Sequence, residues 1–286
     1  MALDYHKLLE LQIPDTRQSY IHKDSILYAL SLGYGSDPLD CRQLPLVYEA
    51  DLHAVPTMGV VLAHPGYWPR TLATGLDWVR IVHAEQGLTL HKPLPAEAQV
   101  IGKSRIVDII DKGADKGALI TYERRILEAV SGEPLCTITQ TMLARGDGGF
   151  GGPQRSAAPP PVIPQRPAEH VVDLCTHENM ALLYRLNGDW NPLHADPAIA
   201  LKAGFQRPIL HGLATWGLAG RAVLQAVCGY DGRQIASIFG RFTAPAYPGE
   251  TFRTEIWVDG AVVAFRVRSL ERDVVVINNG RVELRG

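Results

Sequence analysis

Two kinds of hydrophobic stretch recur along the chain. "TWGLAGRAVLQAV" (Thr215–Val227) is apolar on nearly every side, and a helix without a polar face must be buried. Gly217, Ala219 and Gly220 keep part of its surface slim, which predicts close packing of a sheet against it. The stretches that follow read as extended: "QIASIFGRF", "TFRTEIWV", "AVVAFRVRSL" and "DVVVINNGRVEL". The last contains Asn279-Gly280, a pair that favours a hairpin turn. The first half ends in the same way, with "AQVIGKSRIVDIID", "GALITYERRIL" and "LCTITQTMLAR". One buried helix followed by several antiparallel strands predicts an α+β unit, a curved sheet around a helix, present twice.

Faint internal repetition supports the doubling. Tyr28-Ala-Leu30, Gly33 and Pro38-Leu39 match Tyr184-Arg-Leu186, Gly188 and Pro192-Leu193. Pro56-Thr-Met-Gly59 matches Pro208–Gly212 with one inserted residue, and Pro93-Leu-Pro95-Ala-Glu97 matches Pro245–Glu250. The proline offsets are 154, 152, 152 and 153, in one order, as a duplication requires. Between the halves, "GGFGGPQRSAAPPPVIPQRPAEH" (148–170) is too rich in glycine and proline for a helix interior or a central strand. It reads as a semi-extended connection. The expected organisation is a first domain over 1–150, a proline-rich linker over 151–164 and a second domain over 165–286.

Composition narrows the function. The 286 residues are 46% hydrophobic and 20% charged, as a packed core requires. With a net charge of −2 and no basic stripe, nucleic acid and anionic membrane surfaces are not expected partners. Cys41, Cys136, Cys175 and Cys228 form no CxxC pair, which disfavours structural zinc or a disulfide framework and suits a reducing compartment. The N-terminus does not read as a secretory signal, no apolar run is long enough to span a bilayer, and "VELRG" matches no peroxisomal tail. The expectation is a cytoplasmic protein.

Chemistry concentrates in "LNGDWNPLHAD" (Leu186–Asp196). "THENMALLYRL" before it has helical spacing; after it, Asp196-Pro197 is a helix start and Gly204 a stop. Residues 187–195 are thus a short connection with Asp189 and His194 at its two ends, where one bend can aim both at a single water. Histidine is the side chain best poised for proton transfer near neutral pH, and a carboxylate beside it orients it or acts as the base. A bland alternative also fits: Asp189 caps a turn, Asn191 makes a turn bond and His194 is a satisfied interior group. In "RPILHGLATWG", Gly212 stands where the buried helix begins, and free N–H groups there suit a developing oxyanion. His194, Asp196, Asp189 and His211 also raise a metal reading, but Asp196 is better explained as a cap and no HxxxH or HxxE spacing occurs. No metal is expected.

The long stretch "YRLNGDWNPLHADPAIALKAGFQRPILHGLATWG" resembles the signature of the R-specific 2-enoyl-CoA hydratases, hydratase 2, of the MaoC-like group. The first half, through "ILYALSLGYGSDPLD", "LVYEADLHAVPTMGVVLAH", "HAEQGLTLHKPLP" and "DIIDKGADKGA", is similar to the non-catalytic half of double-hot-dog hydratases such as the unit in peroxisomal multifunctional enzyme type 2. The resemblance implies two tandem hot-dog domains, each a sheet around a central helix. It implies a first copy without catalysis, since Pro38-Leu39 is followed by Asp40 and not histidine, its interior free for an acyl chain. It implies Asp189 and His194 as the catalytic dyad, Asn191 beside them and Gly212 as donor to the thioester oxygen. Lys112 and Phe242 match ligand-contacting residues, His83-Ala84 stands where the family has His-Gly, and Glu49 matches a supporting acid. The implied reaction is reversible syn hydration of trans-2-enoyl-CoA to (R)-3-hydroxyacyl-CoA without a cofactor, and the pairing habit of hot-dog sheets implies a homodimer. A thioesterase on the same fold and a non-catalytic acyl-CoA-binding protein are the alternatives.

Overall fold

The computed structural model describes residues 3–155 and 157–286. Residues 1 and 2 of the N-terminal segment and residue 156 of the proline-rich linker lie outside it. Ten strands are described: β1 (Thr16–Tyr20), β2 (Ile81–Leu90), β3 (Ala98–Asp111), β4 (Ala118–Glu128), β5 (Pro134–Ala144), β6 (His170–Cys175), β7 (Ile235–Phe242), β8 (Thr251–Asp259), β9 (Val262–Ser269) and β10 (Val274–Leu284). Helices are α1 (Tyr5–Leu9), α2 (His22–Ser31), α3 (Leu44–Val47), α4 (Trp68–Thr71), α5 (Met180–Tyr184), α6 (Pro197–Lys202) and α7 (Gly212–Ala226).

All ten strands join one antiparallel sheet in the order β1-β3-β4-β5-β2-β7-β10-β9-β8-β6. Read inward from its outer edge, each half repeats the same topology, β1-β3-β4-β5-β2 against β6-β8-β9-β10-β7. The duplication in the prolines is therefore also a duplication in strand order. The halves meet at β2 and β7, where Gly87 faces Phe239 and Arg241 holds the Glu85 carboxylate at 2.9 Å.

The second half carries the predicted buried helix. Ala214–Leu224 of α7 are all buried, including Trp216, Leu218, Val223 and Leu224. Each of these large apolar side chains contributes about 1.5–3 kcal/mol relative to exposure. The slim face differs from expectation in what it meets. A Cβ on Gly217 would stand 2.8 Å from Leu32, just beyond α2, and one on Gly220 2.7 Å from Thr57, so small residues admit the first half rather than the sheet alone. At the place matching α7, the first half has only a six-residue 3-10 segment, Pro56–Val61. The double hot dog is thus unequal, with one long central helix and one vestige.

Two local expectations change. Asn279-Gly280 does not turn a hairpin but lies inside β10, where the register with β7 shifts between Asn278 and Arg281. Asn279 takes a positive φ of 55° and forms a bulge, and Phe265 packs against Gly280, where a Cβ would meet its ring at 2.4 Å. "THENMALLYRL" is helical only over α5 and then tightens into a 3-10 turn, Arg185–Asn187. The predicted caps appear as read: Asp196 accepts from Ala198 N–H at 2.8 Å, and Gly204 adopts φ 88°. The described residues between β5 and β6 form neither helix nor strand, and are pinned where Asp111 accepts from Gly149 and Gly151 N–H and Asn279 donates to Pro161 C=O.

Candidate active site

The bend is built by local hydrogen bonds. Gly188 takes φ 113°, outside the range of ordinary side chains, and ends the 3-10 turn. Asp189 Oδ1 accepts from Asn191 N–H and Asn191 Oδ1 from Leu193 N–H, both at 3.1 Å. Pro192 opens a second 3-10 turn that delivers His194. Asn187 ties the bend to the first half through a 3.0 Å bond to Ser31 Oγ. The turn-capping reading of Asp189 and Asn191 is therefore correct as far as it goes, and the same bonds fix the carboxylate.

Three side chains converge. Ligand-type atoms of Asp189, His194 and His211 all lie within 4.8 Å of one another. His194 is buried and its Nδ1 lies 2.9 Å from the Ile209 carbonyl. A carbonyl only accepts, so Nδ1 carries the hydrogen and Nε2 is left as an acceptor. Burial lowers the His194 pKa, with Asp189 opposing that shift. His211 stacks on it, centroids 3.7 Å apart, and is pushed down to about 4 by burial and by His194 beside it. Burial of both rings and the repulsion between two imidazoles so close both favour the neutral forms. His211 Nε2 lies 3.3 Å from the Asp189 carbonyl and its buried Nδ1 has no partner.

His211 is also the residue immediately before α7, so the cluster sits at the helix start. The first N–H groups of a helix have no intrahelical acceptor, and they carry its positive end. Gly212 opens this space: Phe242 lies 3.3 Å from where a Cβ would be. Phe242 in turn meets His83 edge-on at 4.7 Å. His83 and Ala84 lie at an irregularity of the β2–β5 register, and Ala84 is half-buried beside it. Gly212, Phe242 and His83 are thus brought together with the dyad, whereas Lys112 and Glu49 stand on exposed turns and make no side-chain hydrogen bond or ion pair among the described residues. Sequence reasoning missed His64. It is exposed, and it feels the charges of both Asp189 and Arg124. Desolvation by the protein around it, and then Arg124, lower its pKa. Nothing in "LAHPGYW" distinguishes it from a loop histidine.

Residues 161–280 match the MaoC like domain model and 18–146 the MFE-2 hydratase 2 N-terminal domain model. Relatives that match nearly end to end include Enoyl-CoA hydratase ChsH3 of Mycobacterium tuberculosis, 38% identical and covering 99% of both chains. Another is the peroxisomal Enoyl-CoA hydratase 2 of Arabidopsis thaliana, 36% identical over 98% of this chain and 94% of its own. The chain belongs to the MaoC-like hydratase 2 family. It is also 38% identical to the mouse peroxisomal multifunctional enzyme type 2, of which it spans 37%. A MaoC-like dehydratase from Phytophthora capsici has the same fold, with a TM-score of 0.87, 30% identity and 99% coverage of both chains. The family's two models divide the chain where the strand order repeats.

Proposed function

We propose that this chain catalyses reversible syn addition of water across trans-2-enoyl-CoA, giving (R)-3-hydroxyacyl-CoA, with Asp189 and His194 gripping the water and the start of α7 polarising the thioester. It is a hydro-lyase of the hydratase 2 family, like the named hydratases that match it end to end. The convergence of the Asp189 carboxylate and the His194 ring at the first turn of α7 carries the reading. Gly212 N–H donates to the thioester oxygen, drawing charge from C3 and holding the enolate that forms. The water donates one hydrogen to His194 Nε2 and the other to the Asp189 carboxylate. As its oxygen attacks C3, the pair takes one proton and returns one to C2 on the same face, so the atoms of one water are added and no cofactor is consumed. Asn191 holds the loop, His83, Ala84 and Phe242 wall the thioester end, and Lys112 contacts CoA, with Glu49 supporting from the first half. Residues 1–150 accommodate the acyl chain.

Crotonyl-CoA tests this. Loss of enoyl absorbance with formation of the (R)-alcohol supports it; release of free CoA thiol means a thioesterase, and saturable binding without turnover means a carrier. The three-residue cluster favours one second reading, a metal site, because its donors lie within reach of one ion. Full activity after exhaustive chelation supports the water mechanism, and activity that zinc alone restores supports the metal. A homodimer and a cytoplasmic location belong to the same reading and are tested by sedimentation and fractionation. No described helix is long and apolar enough to cross a membrane.

A further inference from the structure

The interior of the first half is not uniformly apolar. Along β4 the inward positions are Ala118, Ile120, Tyr122, Arg124 and Ile126, all buried. Ile120 and Tyr122 belong to one hydrophobic cluster and Ile126 to a second, so Arg124 stands at the seam between two cores. Its side chain is 1% exposed. Nη2 donates to the Val60 carbonyl at 2.5 Å, while Nε and Nη1 are buried without a partner. Among the described residues, no carboxylate lies within ion-pair distance of it. A buried cation with one neutral acceptor and two idle donors is a costly arrangement.

The seam continues toward the active site. Next to Arg124 in the inward register, Tyr122 donates to Gln140 Oε1 at 2.7 Å, and Gln140 faces Gln86 across β5 and β2. Gln86 is buried two residues from Ala84, and His64 lies in the field of both Arg124 and Asp189. A row of polar groups therefore runs from the reacting end into the half that receives the acyl chain. Tyr122, Gln140 and Gln86 already have partners, so what a plain fatty chain would leave unmet is the pair of idle donors on Arg124. A chain with an anionic oxygen would supply the missing counter-ion to a guanidinium, the side chain best shaped to bind a carboxylate.

We propose that Arg124 binds a carboxylate carried on the distal part of the acyl chain, so that the preferred substrate is a carboxyl-bearing enoyl-CoA. This deepens the hydratase reading and rests on it for the orientation of the substrate. His64 feels the charges of both Asp189 and Arg124, which places the guanidinium within electrostatic reach of the reacting end. Binding of saturated thioesters tests it without turnover. Isothermal titration compares mono-CoA esters of straight-chain dicarboxylic acids with fatty acyl-CoAs of equal length, over a series of increasing length. At the matching length the carboxylate ester binds about 10- to 100-fold more tightly, the worth of a hydrogen bond to a charged group. In Arg124→Met that ratio collapses to about one. Should Arg124→Met fail to fold, Arg124→Lys keeps the charge without the fork and lowers the ratio severalfold. Equal or weaker binding of the carboxylate esters at every length overturns the proposal, and so does a preference that survives in Arg124→Met. Crotonyl-CoA turnover by the unaltered protein separately reports the hydratase reading, so either idea can fail alone.

Discussion

The two halves share a strand order and differ in what the sheet encloses. In the second half a fifteen-residue helix fills the concave face and begins at Gly212, beside the bend that holds Asp189 and His194. In the first, the matching place holds the 3-10 segment Pro56–Val61, and the matching bend runs Pro38-Leu39-Asp40 with no histidine. Asp40 there caps a turn instead, accepting from Arg42 N–H, Arg42 Nε and Gln43 Nε2. An acid on a bend is therefore not enough. The proposed site brings a carboxylate, an imidazole and the start of a long helix to one point, and among the described residues it is the second copy that assembles all three. The vestigial helix of the first copy frees its interior for another use.

The largest test of that contrast is removal of the acid. Asp189→Asn is expected to cut kcat by about 10²–10⁴ with the melting temperature little changed, as for loss of a proton-transfer group. At the seam, Gly217→Val or Gly220→Val pushes a side chain into Leu32 or Thr57. Overpacking of this kind is expected to cost about 1–3 kcal/mol, read by chemical denaturation. Next comes the attempt to complete the first copy. Asp40→His in the Asp189→Asn background is expected to restore no turnover and to lose a cap worth about 0.5–2 kcal/mol. Turnover regained there would break the contrast outright.

Acid should expose the same asymmetry through the histidines. His83 and His211 are pushed down to about 4, each chiefly by burial. Their unfolded value is about 6.5, so between these values the unfolded chain binds more protons. Stability is then full above about pH 6.5 and is lost progressively as pH falls toward 4. Denaturation curves across that range check the sign, since a protein equally stable at both ends contradicts neutral buried histidines. The smallest expected effect is at the surface: Lys112→Ala raises KM for the CoA ester severalfold and leaves stability unchanged.

Much of this was legible in the sequence, for identifiable reasons. The all-round apolar pattern of 215–227 and the alternation in the strands report burial directly, so the helix and most strand limits emerged within a residue or two. Asp196-Pro197 and Gly204 act through local bonds and declared themselves as caps. Asn279-Gly280 misled because the pair favours positive φ equally in a hairpin and in a bulge, and only the neighbouring strand decides. The unequal central helices were hidden because the collinear prolines persist after the helix between them has shrunk. In the site, Asp189, His194 and Gly212 lie within one continuous motif, whereas His64 comes from a distant loop of the first half and only the folded chain brings it under the influence of Asp189.

The claim on which the account turns is that Asp189 and His194 act on one water. A double-mutant cycle on kcat for crotonyl-CoA hydration, with Asp189→Asn, His194→Ala and the pair together, tests it directly. Groups that act as a unit are non-additive. The double variant should therefore be about as slow as the slower single variant. Two losses that multiply would mean that the acid and the histidine act independently, and would contradict the shared water.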